Sequence, residues 1–279
     1  MSFLAVLKFL TIIPAPGYLE HGLSRPTRVA VSADTPIPVD NSLLQVGRSI
    51  AFFPVVGLII GIFLTLLYYV LHLILPAPVV SAVILAALAI ITGAHHLDGL
   101  IDTCDGMVTG RTREERLAIM SDTRVGAFGL TGAGIILLLK YAAISSSFTP
   151  AMLIAFPVIS RWALTAAILI FPPAKTSGAG YAVKSGADWR GYILATLVAL
   201  AVSILLNGLV MGTTLLACVL ALIYLAGLIF TRLYGGLSGD CYGALVEIGE
   251  VFALLLFIIL SRFMPALQNY NLLQIILPD

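Results

Sequence analysis

The chain has 279 residues, 60% of them hydrophobic and only 10% charged, with a mean hydropathy of +1.07. A soluble domain carries about 25% charged residues, so this composition excludes a water-covered globule and points to a polytopic membrane protein. The net charge of +1 gives no electrostatic footprint for nucleic acid, and Cys104, Cys218 and Cys241 fit neither a disulfide framework nor a paired metal motif.

The N-terminal MSFLAVLKFLTIIPAP is apolar and then stops at two prolines. It falls short of the roughly 20 residues a span needs and lacks a basic leader or cleavage site, so an interfacial or re-entrant helix is expected. Residues 17–48 are polar, rich in Pro, Ser and Asp, and contain Arg25, Arg28 and Arg48; they are expected to form a cytoplasmic loop with little structure. Seven spans follow: Ile50–Leu75, Val79–Ala94, Val125–Ser145, Ala151–Phe171, Gly191–Val210, Thr214–Phe230 and Ala244–Phe263. The expected fold is therefore all-α, a membrane-embedded bundle forming a single catalytic domain over residues 1–279. The tail from Met264 is expected along the interface.

Charge sets the topology. The connections at 75–78, 145–150 and 208–213 carry no Lys or Arg, whereas those on the other side carry nearly all of the loop cations. This bias puts the N-terminus and the long loops in the cytoplasm, with the active site on that face.

Residues 95–129, HHLDGLIDTCDGMVTGRTREERLAIMSDTRVGAFG, form a charged island in this apolar chain. Asp98, Asp102 and Asp105 are spaced i, i+4, i+7, which on a helix aligns three carboxylates on one face. Such anions call for a cation, and hard carboxylate oxygens suit Mg2+ completed by substrate phosphate. The alternative is a solvated acidic turn. His96 can orient Asp98 or move a proton, or it can be a buried structural histidine. RTREERLAIM reads as an amphipathic surface helix with internal ion pairs. Asp122 and Arg124 stand at the entry to the third span, where Arg124 suits a bidentate phosphate clamp or a positive-inside anchor.

Arg161 lies inside the fourth span, where an unpaired charge is costly, and it pairs naturally with Glu247 or Glu250 of the seventh. With Asp240, these two acids form a second carboxylate set in GGLSGDCYGALVEIGE. That set suits a second metal or the nucleophile side of the substrate; the alternative is a buried Arg–Glu pair. Lys184 and Arg232, from the loops on the charged face, complete the candidate substrate-binding residues.

GAHHLDGLIDTCDG, followed by RTREERLAIMSDTRVGAFG, resembles the central signature of the cobalamin synthase (adenosylcobinamide-GDP ribazoletransferase) family. FLTIIPAP, FFPVVGLIIG and GGLSGDCYGALVEIGE resemble its other motifs in the same order. The resemblance implies acidic positions at Asp98, Asp102 and Asp105, a histidine at His96, a loop motif at Asp122–Gly126 and a C-terminal motif at Asp240, Gly243, Ala244, Glu247 and Glu250. His95, Cys104 and the long 17–48 segment depart from the family pattern without removing a carboxylate. The implied reaction is attack of alpha-ribazole, or its 5′-phosphate, on adenosylcobinamide-GDP with loss of GMP, using magnesium at a cell (inner) membrane. Asp98, Asp102 and Asp105 would hold the metal, Arg124 would add positive charge, and Asp122 or His96, with Asp240 or Glu247 competing, would activate the hydroxyl. The substrates and the lipid bilayer are the implied partners, and a homo-oligomer is left open. CDP-alcohol phosphotransferases are set apart because DGLIDT lacks their Ala-Arg pair. A prenyltransferase is compatible with the aspartate spacing alone. A transporter is disfavoured because the densest charges sit on one face rather than along a midplane path.

Overall fold

The computed structural model describes residues 2–13, 27–30, 36–146 and 149–263. The helices are α1 Ser2–Leu10, α2 Asn41–Arg48, α3 Phe53–His72, α4 Ala77–Ile91, α5 His95–Thr109 and α6 Arg113–Ile119. They continue with α7 Ala127–Ser146, α8 Pro150–Ile170, α9 Ala179–Gly186, α10 Trp189–Asn207, α11 Leu209–Tyr234 and α12 Gly239–Phe263. Six of them (α3 with the 3-10 turn before it, α7, α8, α10, α11 and α12) are long and apolar enough to cross a membrane. The pair α4 and α5 makes a seventh candidate if taken together, but it is bent by 88°. The expected all-α membrane bundle is what forms.

Several boundaries differ from expectation. The 17–48 segment is not structureless. Within it β1 (Thr27–Ala30) pairs antiparallel with β2 (Pro36–Val39), Thr27 opposite Val39, and α2 follows. Asp40 caps α2 by accepting from Ser42 N at 2.8 Å. The other residues of the segment, and the tail from Met264, lie outside the described residues. The 174–190 loop contains α9. The turn between α10 and α11 sits at Gly208, whose φ of +77° suits glycine, and not at 211–213, which continue the helix.

α8 and α12 are the most enclosed spans, with 83% and 67% of their apolar windows buried, against 22% for α10. The reason lies in the residue sizes where helices meet. Gly57 and Gly61 of α3 face the backbone of α8 so closely that a Cβ on Gly61 would lie 2.6 Å from the Ile154 Cα, and without a hydrophobic force between helices in lipid such small-residue contacts let backbones pack. Outward-facing Leu66, Val70, Leu138, Leu197 and Leu209 remain exposed, as lipid-facing residues do.

Alternation of the spans gathers α5, α6, α9 and the α11–α12 connection at one end. That end is built rather than loose. Gly47 of α2 and Gly186 of α9 pack against each other's helix backbones, and Gly180 of α9 meets Gly239 at the start of α12. The bend before α5 is made by two left-handed residues, Gly93 (φ +61°) and Ala94 (φ +56°). For an alanine that conformation costs about 1–2 kcal/mol, and it is the step that lays α5 across the bundle end.

Candidate active site

α5 and α12 cross where both are narrow. A Cβ on Gly99 would lie 2.7 Å from the Asp240 carbonyl oxygen, and one on Gly243 would lie 3.1 Å from the His96 Cα. Asp240 is therefore a residue of α12, not of the loop before it, and it sits directly on the turn of α5 that carries Asp98 and Asp102. Ser238 caps the start of α12, accepting from Cys241 N at 3.2 Å and donating to Asp240 Oδ2 at 3.3 Å. Asp102 lies within the field of Asp98, Asp240 and Asp105. Among the described residues, Asp98, Asp102 and Asp240 form no ion pair.

The aspartate stripe changes character along α5. Asp98 is exposed, Asp102 half-buried and Asp105 buried. Asp105 is not with the other two. Its carboxylate accepts from Gly126 N at 2.7 Å and Gly129 N at 2.8 Å, filling the space where side chains on those glycines would stand. It thus caps the N-terminus of α7, where backbone donors lack partners and the dipole favours an anion. The three carboxylates share a face, as their spacing requires, but α7 covers its far end and occupies both oxygens of Asp105.

No group of three His, Cys, Asp or Glu side chains among the described residues is arranged to hold a metal ion. The donor set still fits magnesium, which is held by one or two carboxylates and completed by water and substrate phosphate. Asp98 and Asp102, one turn apart and without an ion-pair partner among the described residues, are the carboxylates that could hold it, with Asp240 opposite.

A cationic side chain borders this site. Lys175 Nζ donates to Ser121 Oγ at 2.9 Å and acts electrostatically on Asp240. Arg113 donates to the Ala174 carbonyl at 2.8 Å and packs on Gly235; Arg116 reaches the Leu233 carbonyl at 3.4 Å. The internal ion pairs expected within α6 do not form among the described residues, because its arginines reach across to the α8–α9 and α11 segments. Glu115 instead closes a capping box with Thr112. Arg124 and Asp122 bond each other at 2.6 Å on the surface, and this hydrogen bond holds the Asp122 carboxyl below the usual range. Arg232 is exposed beside the Gly235 turn. Lys184 is turned away, donating to the Leu169 carbonyl at 2.6 Å, and its burial lowers its pKa.

The second acidic set lies deeper, roughly 12–17 Å along α12 from its charged end at 1.5 Å per residue. Glu250 pairs with Arg161 of α8 and with Lys140 of α7; Glu247 accepts from Lys140 at 2.6 Å. All four side chains are at most 10% exposed. The expected Arg161–Glu250 pairing is present, and Lys140 is its unforeseen partner. His96 is buried facing this group, with Arg161, Glu250 and Lys140 as charged neighbours. The cavity that Lys140 and Glu247 line holds about 10 Å³, room for about one water.

Comparison with known proteins points to one family. The family model described as cobalamin-5-phosphate synthase matches residues 2–258. The chain is 36% identical over 251 residues to the adenosylcobinamide-GDP ribazoletransferase of Roseiflexus sp. (strain RS-1), covering 89% of this chain and 85% of that one. It is 38% identical over 213 residues to the protein of the same name from Geotalea daltonii, covering 76% and 86%, and 32% identical over 265 residues to that of Brevibacillus brevis, covering 92% and 97%. No solved structure matches. A match that runs from α1 almost to the end of α12, joined to relatives covered over most of their length, means that this chain belongs to the cobalamin-5-phosphate synthase family.

Proposed function

We propose that this chain is an adenosylcobinamide-GDP ribazoletransferase acting at the cytoplasmic face of the cell membrane. It joins alpha-ribazole, or its 5′-phosphate, to adenosylcobinamide-GDP and releases GMP, completing the nucleotide loop of adenosylcobalamin. The observation that carries the reading is the uncompensated carboxylate group Asp98, Asp102 and Asp240 at the α5–α12 crossing, bordered by Lys175, in a chain of this family.

Asp98 and Asp102 are the residues to hold magnesium, which when bound neutralises a diphosphate and stabilises the leaving phosphate. Lys175, which acts on Asp240, is the cation to meet phosphate oxygens, and Arg124 would join it by exchanging its Asp122 partner for the ligand. The attacking hydroxyl gives its proton to a carboxylate as its oxygen bonds to the corrinoid-side phosphorus and the bond to GMP breaks. Asp240 suits that role better than Glu247, which is locked on Lys140, or His96, which is buried on the inward side of α5. Asp105 anchors α7, and Arg161, Glu247 and Glu250 serve the bundle interior.

The test is GMP release by the purified protein in detergent, given adenosylcobinamide-GDP and alpha-ribazole phosphate, with magnesium and with EDTA. Magnesium-dependent GMP together with a cobalamin product is the expected result. Folded protein that releases none, but turns over a CDP-alcohol or prenyl diphosphate, would overturn it.

A further inference from the structure

α12 carries Asp240, Gly243, Glu247 and Glu250 in a 3–4–3 spacing, which puts them on one stripe of the helix. Asp240 packs on Gly99 and Gly243 on His96, both of α5. Glu247 bonds Lys140 of α7, and Glu250 bonds Lys140 and Arg161 of α8. One line of residues thus runs from the carboxylates of the charged face to the middle of the bundle, and it touches three other helices on the way. α7 is held twice, at its N-terminus by Asp105 and further in by Lys140.

Two cations and two anions in a membrane interior are costly to place there. Apolar residues of the same volume would pack these helices at least as well, so adhesion alone does not call for the charges. What a directional, hydrogen-bonded ion cluster adds is register, which smooth apolar faces specify poorly. Arg161 Nη1 also donates to Ser160 Oγ at 3.0 Å, fixing the guanidinium against its own helix.

We infer that Lys140, Arg161, Glu247 and Glu250 form a clamp that sets the depth and rotation of α12 and thereby holds Asp240 against Asp98 and Asp102. The inference rests on the metal-diphosphate reading of those carboxylates. The four are positioning residues: they touch one another and not the substrate.

The test uses the full-length protein in detergent and two readouts, Mn2+ binding followed by the electron paramagnetic resonance of the free ion, and steady-state GMP release. A charge-free variant, Lys140→Met/Arg161→Met/Glu247→Gln/Glu250→Gln, is expected to elute as folded protein. It should bind Mn2+ at least tenfold more weakly and lose at least tenfold in kcat, with a much smaller change in KM, the size of loss typical when groups supporting a metal site are removed. Lys140→Met alone should show the same defect and Lys140→Arg should recover most of it. A charge-free variant with wild-type Mn2+ affinity and kcat overturns the clamp. If that variant does not fold, the contrast between Lys140→Met and Lys140→Arg decides, and equal Mn2+ affinity in both overturns it. Wild-type protein that binds Mn2+, with an affinity that follows the clamp variants, but releases no GMP supports the clamp and sinks the transferase reading instead.

Discussion

Asp105→Asn separates a metal ligand from a helix anchor. The Asp105 carboxylate is 6% exposed and accepts two backbone hydrogen bonds, from Gly126 and Gly129. A hydrogen bond to a charged group contributes about 1.5–3 kcal/mol, and an anion at a helix N-terminus adds about 0.3–1 kcal/mol more. Asparagine keeps one acceptor oxygen and turns its amide donor toward the other N–H, so one bond and the charge are lost. The expected cost is about 2–4 kcal/mol. For a chain of this size that lowers the melting temperature by roughly 5–15 °C, measured as loss of monodisperse protein on heating in detergent. The magnesium concentration giving half-maximal GMP release should stay within about twofold, because no ligand has been removed. An unchanged melting temperature with a large rise in the magnesium requirement would return Asp105 to the ligand set and refute the capping argument.

Asp102→Asn should do the reverse. Turnover is expected to fall roughly 30-fold or more, about 2 kcal/mol of lost charge stabilisation, while thermal stability holds or rises as repulsion from Asp98 and Asp240 is relieved; intact turnover would sink the ion assignment. Gly99→Ala forces a methyl to within 2.7 Å of the Asp240 carbonyl. Separating α5 from α12 should cost about 1–3 kcal/mol of stability and depress kcat, and a fully active Gly99→Ala protein would disprove the tight crossing. Arg124→Ala should raise KM for the donor and leave the melting temperature unmoved, since the pair is on the surface. Because Arg124 lowers the Asp122 pKa, any stability from the pair is present above the ordinary aspartate pKa and is lost only as pH falls through the lowered one. The pH–rate profiles of wild type and Arg124→Ala should therefore have the same shape between about pH 6 and 8; a difference in shape there would mean that Asp122 titrates in catalysis.

The spans and the shared charged face were legible because both follow from composition along the chain. Long apolar runs must cross lipid, and loop cations must stay on one side. The pairing of Arg161 with Glu250 was legible for the same reason, since a lone charge in a span demands a partner. Lys140 carried that signal equally, one cation within the apolar third span, and it passes unnoticed when its neighbours are read only for length. The fate of Asp105 was not legible. Spacing on a helix specifies which residues share a face, whereas what covers that face depends on how a distant helix approaches, here through Gly126 and Gly129. Asp240 was placed before its helix because GGLSGD looks like an open turn, yet Ser238 caps α12 there and starts it five residues before the Ala244 expected from the sequence. α9 escaped notice because it is short and weakly apolar, held by its neighbours more than by its own sequence.

The bend at Gly93 and Ala94 leaves α4 only 15 residues long. At 1.5 Å per residue that is about 22 Å, against a hydrocarbon core of about 30 Å. The bilayer beside α4 must thin, or headgroups and water must dip inward, to meet the polar start of α5, and such mismatch costs fractions of a kcal/mol per Å. Either adjustment brings water closer to the carboxylates of α5 than a flat bilayer of full thickness would. Lipid thickness thereby becomes a variable of the chemistry: in bilayers of longer acyl chains the carboxylate end should be drawn deeper into hydrocarbon and turnover should slow, which GMP release from vesicles of graded acyl-chain length measures.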